Sequence, residues 1–518
     1  MPKLQFLSGA ILVLLCAIPS QVHGQDWPAW GGSDPGRNMR STSPVPAATN
    51  FNPGKFKPGS DELETGSAKN IRWVARLGSE SYGNPVVAGG KVFVGTNNEH
   101  PRDSRRQGDY SILLCLDEKT GAFLWQLAVP KLAAGKHCDW ENLGILCSPA
   151  VEKDRLYLVS TRCEVLCLTT DGLGKGNIGP FTNEAQYIAG PGKPPAPVDA
   201  RDADIIWRFD MIHELGVFPH NAANCSVLVL GDVVYVCTSN GQDWSHKNVP
   251  YPFAPSLIAL DKKTGRLLGC DDAGIGPRIF HGQWSSPAAG LVAGRWLVFF
   301  GGGDGFLYAF DAKPVGAGEN GRLQNVWKAD ANPPEYRFRD GQPVKYGEAE
   351  GPSEINATPV FYRNRVYTAI GQDPENGEGS GRLACFNAAG SGDISRTGLV
   401  WEFKEIKRSL STPAIDTASG LLFTADYSGY VYCLEAETGR LCWTHDMKAH
   451  VWGSPLVADG KVFIADEDGD FIVFAAAAEK KILHETSFPA PIHSTAVAAN
   501  GVLYVATATH LYAIAPAP

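Results

Sequence analysis

The sequence predicts an all-β protein, an eight-bladed β-propeller of four-stranded blades. Three observations predict it. A block of short strands returns eight times, a tryptophan closes most blocks, and the last block stops one strand short while a lone strand precedes the first. No window of the 518 residues reads as a long amphipathic helix, and 57 glycines and 36 prolines punctuate the chain.

Residues 1–24 read as a secretory signal peptide. Lys3 precedes an apolar run from Leu4 to Ile18, and Val22-His23-Gly24 forms a small-residue cleavage site before Gln25. The run is short for a membrane span. Leu15, before Cys16, is too large for a lipid-attachment motif, so the mature chain is expected in the periplasm or secreted, with no membrane span. Net charge is −9 with no basic run, which argues against nucleic acid as a partner. Residues 25–69, rich in Pro, Gly, Ser and Asn, form an irregular N-terminal segment; the propeller is expected over 70–518.

The clearest block runs from Ser411 to Trp443. Its strands are expected at Ser411–Asp416, Leu421–Ala425 and Tyr430–Glu435, with a fourth ending at Trp443. Ser419-Gly420, Ser428-Gly429 and Thr438-Gly439 supply the turns. One such sheet cannot bury both faces alone. Aligned on the first-strand proline, the blocks anchor at Pro85, Pro149, Val227, Pro287, Pro359, Pro413, Pro455 and Ala496. Closing tryptophans stand at Trp125, Trp207, Trp327, Trp401 and Trp443. The eighth block ends after its third strand, and "NIRWVARL", with Trp73, offers the missing fourth. Closing the ring in this way removes exposed sheet edges.

Eleven cysteines follow the signal peptide. Seven (Cys115, Cys147, Cys167, Cys225, Cys237, Cys385 and Cys433) fall in columns that hold Ala, Gly or Ser in other blades. They are expected as buried free thiols acting as small hydrophobes, with a Cys147–Cys225 bridge as the main alternative. His137, Cys138 and Asp139 lack zinc-site spacing. "DEDGD" at Asp466 to Asp470 reads as a hairpin turn rather than a calcium loop. No G-x-S-x-G is present, which leaves a nucleophile-elbow hydrolase without support.

The recurring third-strand ending, Asp117-Glu118-Lys119-Thr120-Gly121 with Trp125, returns at Asp261 to Gly265 and at Glu435 to Trp443. With the opening "DWPAWGGSDPGRNMRS", it resembles the pyrroloquinoline-quinone-like propeller superfamily over nearly the whole mature chain. The resemblance implies the eight-bladed fold. It implies two kinds of activity, because the superfamily holds quinone-dependent dehydrogenases and non-catalytic propellers, the outer-membrane assembly lipoprotein among them. The chain departs from the dehydrogenases: no two cysteines are adjacent, no C-x-x-C-H is present, and the opening drifts to Met39-Arg40-Ser41.

Connections from first to second strand are all tight, whereas long loops fall at 97–110, 126–146, 208–222, 239–256, 328–355 and 371–381, which share one face of a propeller. Elaborated loops on one side of a rigid scaffold are where function usually sits. Three residues before each anchor, at the expected channel mouth, stand Tyr82, Leu146, Asn224, Trp284, Asn356, Leu410, Trp452 and His493. Nearby loops add His220, Asn221, His281, Glu354, Arg408 and His450. Indole faces, amides, imidazoles and a guanidinium suit a polar aromatic ligand, with Tyr82, Asn224, Trp284, Asn356, Arg408, Trp452 and His493 as candidate binding residues. The expected function is an extracytoplasmic binding or interaction module for a cell-envelope protein or a small polar or aromatic ligand. The alternative is a dehydrogenase dependent on pyrroloquinoline quinone and calcium, oxidising an alcohol or sugar with an external electron acceptor. There the resemblance implies that mouth tryptophans sandwich the quinone, Asn or Glu holds calcium, and a mouth Asp or Glu acts as base.

Overall fold

The computed structural model describes residues 25–64, 66–132, 138–316 and 320–516. The expected signal peptide and His137 lie outside these residues. Eight antiparallel sheets follow one another around a ring: blade 1 spans 86–130, blade 2 150–210, blade 3 228–271, blade 4 288–330, blade 5 360–403, blade 6 414–446, blade 7 456–487 and blade 8 497–514. Blade 8 takes its fourth strand from Ile71–Arg76, which pairs antiparallel with His510–Ile514. The ring therefore closes through the N-terminal strand, as the sequence predicts. Blade 6 matches its expected second and third strands; its first strand begins later, at Ala414, and its fourth, Leu441–Asp446, continues past Trp443.

The repeating motif has a mechanical cause. The Trp73 indole N–H donates to the Glu118 carbonyl in blade 1, and Trp125, Trp207, Trp327, Trp401 and Trp443 each bond the next blade likewise, at 2.8–3.1 Å. Gly121 lies under the Trp73 ring at φ +72°, and a Cβ there would come within 2.6 Å of the indole. Glycine accepts both the left-handed turn and the close approach. Asp117 holds the turn by accepting from Thr120 N and Oγ1. Blade 3 has Gly269 opposite Ala259 and blade 7 His484 opposite Val473, where the other six blades carry tryptophan, and in blade 3 Arg322–Leu323 adds a parallel fifth strand. Under each tryptophan the third strand offers Cys115, Cys167, Cys385, Cys433 or alanine. All seven column cysteines are buried and free, and Cys147 and Cys225 are not bridged.

The first strands line the central channel and are stitched by a belt of polar side chains one residue before each anchor. Ser148 N donates to Ser226 Oγ, Ser226 N to Ser286 Oγ, Thr358 N to Thr412 Oγ1, Thr412 N to Ser454 Oγ, Ser454 N to Thr495 Oγ1, and Thr495 N to Asn84 Oδ1. The last of these bonds crosses the ring closure.

Residues 27–41 close one end of this channel. The segment bonds the first strand of every blade: Trp27 to Val87, Pro28 to Val151, Pro35 to Ala289, Gly36 to Phe361 and Met39 to Val457 through the backbone. Asn38 does so through its side chain to Ile415, Ser41 to Ala498, and Arg37 to Ser226 and Val227. Arg37 is 2 % exposed and donates also to the Pro287 and Trp30 carbonyls. Burial pushes its guanidinium down to about 10, yet it stays charged near neutrality. The plug sits on the side of the tight first-to-second-strand turns. The other end of the channel, which we call the open end, faces the long loops.

Candidate functional site

At the open end, Tyr82, Leu146, Asn224, Trp284, Asn356, Leu410, Trp452 and His493 are all half-buried, while the residues one and two positions further along are buried. This ring is the rim of the mouth. The chain from rim to plug contact is five residues long in seven blades, about 16 Å if extended, whereas in blade 3 Arg37 reaches further up, to Ser226 and Val227.

The rim residues fall into two clusters. In the first, the Tyr82 ring stacks on His493 at 4.8 Å, and Trp452 meets both edge-on at 5.9 and 5.5 Å. Tyr427, from the second-to-third-strand turn of blade 6, stacks on His450 at 4.3 Å and meets Trp452 at 5.4 Å. Glu467, from the matching turn of blade 7, joins the cluster by accepting from His450 Nδ1 at 2.6 Å and Trp452 Nε1 at 2.9 Å. Burial raises the Glu467 carboxyl, but these donors outweigh it and hold the group below its usual range. Burial lowers His493 and lifts Tyr82 to about 12. The cluster therefore holds the Glu467 carboxylate among aromatic faces, with Glu378 Oε1 3.6 Å from His450 Nε2 and Glu80 Oε2 3.7 Å from His493 Nδ1 at its margin.

The second cluster gathers around Trp284. His220 and His281 flank its indole at 6.2 and 5.8 Å, and His246 packs against both imidazoles. Tyr346 stacks on His281 at 5.6 Å and donates to Glu354 Oε1 at 3.2 Å, and Asn356 Nδ2 also points to Glu354 Oε1, at 3.4 Å. Asp373 Oδ2 lies 3.7 Å from His281 Nε2. Glu354 is fully buried, and burial with the nearby Asp373 charge raises its carboxyl well above the usual range. Burial also raises Asp373. His281 is pushed down to about 3 by burial and by its two histidine neighbours, and is neutral at physiological pH.

Of the residues named from sequence, Tyr82, Trp452 and His493 come together in one cluster, and Trp284 and Asn356 belong to the other. Asn224 stands on the rim, its backbone N–H bonded to Ser239 Oγ. Arg408 is 2 % exposed and donates to the carbonyls of Glu348, Asn376 and Gly377. It ties its own loop to those at 348 and 376–377, with the Tyr346 and Glu354 groups of the second cluster near enough to act on its charge. Sequence reasoning missed Tyr427, Glu467, His246, Tyr346 and Asp373. Two of these had a signal: Asp426-Tyr427 and Asp466-Glu467 follow the second strand at the same offset. The "DEDGD" turn is a hairpin, with Asp466 Oδ1 accepting from Asp468 N and Asp470 N. A recess of about 200 Å³ lined by Trp27, Gly31, Gly32, Arg40 and Thr417 belongs to the plugged end instead.

Fold and repeat define a propeller of the pyrroloquinoline-quinone-like class. The model of one family, described as outer membrane protein assembly factor BamB, matches residues 71–332 and 379–517. The chain belongs to that family. The unmatched interval carries Tyr346, Glu354, Asn356 and Asp373. Among solved structures, BamB from Moraxella catarrhalis is similar at 14 % identity and a TM-score of 0.52, covering 86 % of this chain and 99 % of that one. A quinohemoprotein alcohol dehydrogenase from Comamonas testosteroni follows at 15 % identity and a TM-score of 0.48, covering 95 % of this chain and 81 % of that one. No curated protein sequence matches the chain. Among the described residues, no helix is long and apolar enough to cross a membrane.

Proposed function

We propose that the chain is an extracytoplasmic binding propeller that docks a cell-envelope protein on its loop-rich face. One observation carries this reading. Tyr251, Phe253 and Phe338 are 52 %, 92 % and 61 % exposed, and all stand on loops of the same face as the mouth. Exposed aromatic side chains on a rigid scaffold are the usual anchors of protein interfaces. The rim cluster of Tyr82, Trp452, His493 and Glu467 offers half-buried aromatic edges and a carboxylate to a partner's aromatic or cationic side chain. Membership in the BamB family, whose description names outer-membrane assembly, supports an envelope location.

The test is site-specific photo-crosslinking in the living cell. A photoreactive phenylalanine analogue at position 253 or 338 should give a discrete adduct, and one replacing Trp296, on the opposite face, should give none. Adducts from position 296 alone, or from none of the three, would overturn the reading.

A second reading, the quinone- and calcium-dependent dehydrogenase, is favoured by one feature. Glu354 Oε2 and Asn356 Oδ1 are buried acceptors without a hydrogen-bond donor among the described residues. Such hard oxygens fit a calcium ion, and Glu354 and Asn356 are the residues that would hold it. The quinone fits less well. Trp284 and Trp452 sit in separate clusters, and both terminal nitrogens of Arg408 donate to backbone carbonyls, which leaves Nε as its one donor without a partner among the described residues. Titration with pyrroloquinoline quinone and calcium, read by tryptophan fluorescence and melting temperature, separates the readings. Saturable, calcium-dependent quenching would favour the dehydrogenase.

A further inference from the structure

The three histidines beside Trp284 come from three separate connections. His220 lies between blades 2 and 3, His246 in the second-to-third-strand loop of blade 3, and His281 between blades 3 and 4. One ring nitrogen from each falls within 4.8 Å of the others. The rings do not stack. They meet edge-on in every pair, at 65°, 70° and 73°. In each pair the edge of one ring meets the face of the other, and it is the separation of the nitrogens, within 4.8 Å, that brings one potential ligand atom from each ring together.

Surrounding groups fix two of the rings. His220 Nδ1 lies 2.7 Å from the Gln242 carbonyl. A carbonyl only accepts, so Nδ1 carries the proton and Nε2 is the lone-pair nitrogen. The Gln242 backbone N–H donates in turn to the His281 carbonyl at 2.9 Å. The backbone of a single residue, Gln242, therefore positions both buried histidines. His281 is 3 % exposed, its ring held by the Tyr346 stack, and its Nε2 makes no hydrogen bond among the described residues. A histidine whose other nitrogen donates to a backbone carbonyl is the usual outer-shell arrangement of a metal ligand.

We infer that His220, His246 and His281 form a binding site for a zinc-class divalent cation. Imidazole nitrogens suit zinc and its transition-metal neighbours rather than calcium or magnesium. Zinc–nitrogen bonds of about 2.0–2.1 Å place tetrahedral ligands about 3.3 Å apart, so the cluster must close by roughly 1.5 Å. His246 supplies that movement, because it is the exposed member on a loop tip. Asp373 stands beside His281 as a fourth ligand or as the acceptor for a bound water. The ion would tie the loop carrying Tyr251 and Phe253 to the rim of the mouth. The site itself does not depend on the partner reading.

The experiment uses the full mature chain, tag removed and stripped of metal, titrated with zinc chloride against a chromophoric chelator. Wild type is expected to take up one zinc per chain and to melt at a higher temperature with zinc. H246A, altered at an exposed position, should keep the metal-free melting temperature and lose at least 100-fold in zinc affinity. D373N should lose about 10–100-fold. H213A, on an exposed helix away from the cluster, should match wild type. Wild-type uptake well below one equivalent, or H246A binding zinc as wild type does, would overturn the inference.

Discussion

The two ends of the channel are built on the same eight strands and finished in opposite ways. At the plugged end, residues 27–41 bond every blade, and Arg37 shares its guanidinium among four backbone carbonyls. At the open end, eight rim residues stay half-exposed, and buried polar atoms such as Glu354 Oε2, Asn356 Oδ1 and His281 Nε2 find no hydrogen-bond partner among the described residues. Buried polar groups are normally satisfied, and those that are not call for an explanation. The plugged end leaves the Trp27 and Trp30 indole N–H groups without a partner among the described residues but is tied to every blade. The other leaves bonding capacity that a ligand can use.

The largest expected effect tests the plugged end. Arg37→Met should destabilise the fold by about 3 kcal/mol or more, because it strips several buried carbonyls of their donor. The denaturant midpoint measures this, and rim crosslinking at low temperature should survive. A near-neutral effect would mean that the plug does not hold the ring, and the contrast between the ends would fail. Trp452→Ala at the rim should cost only about 1–2 kcal/mol, since the indole is half-exposed, while sharply reducing partner crosslinking from position 253. A stability loss as large as that of Arg37→Met, with crosslinking unchanged, would make the rim aromatics a core plug as well.

The repeat was legible in the sequence because its signals are local and periodic: a turn glycine, a tryptophan column and a small-residue column, each at a fixed offset from the anchor. The rim was legible for the same reason, being a column three residues before the anchor. The plug was not. Arg37 reaches Val227 and Pro287 across 190 and 250 residues of chain, and successive residues of the segment touch different blades, so no period appears. Arg408 illustrates the limit at the site. Its place near the mouth followed from the column, but its direction depends on where the loops at 348 and 376–377 put their carbonyls. His246, Tyr346 and Asp373 escaped because they sit in loops of unequal length, where offset from the anchor carries no information. Membership in the BamB family adds little here, since the matched segments stop short of Tyr346 and Asp373.

The smallest effect concerns pH and again separates the ends. Asp466 stands in the turn that brings Glu467 to the rim. Its Oδ1 accepts two backbone N–H bonds, while its Oδ2 is buried without a donor among the described residues. Burial, with the Asp470 and Asp468 charges nearby, raises its carboxyl to about 6. The folded chain thus holds this proton more tightly than the unfolded chain, whose aspartates titrate near 3.9. Its stabilising contribution is complete below about pH 4 and is lost as pH rises through about 6. Asp466→Asn keeps the Oδ1 acceptor and removes the titration. The variant should therefore match wild type in urea midpoint at pH 4 and exceed it at pH 7. An unchanged difference between the two pH values would mean that folding does not raise the Asp466 carboxyl, so that Oδ2 is relieved of its burial in solution.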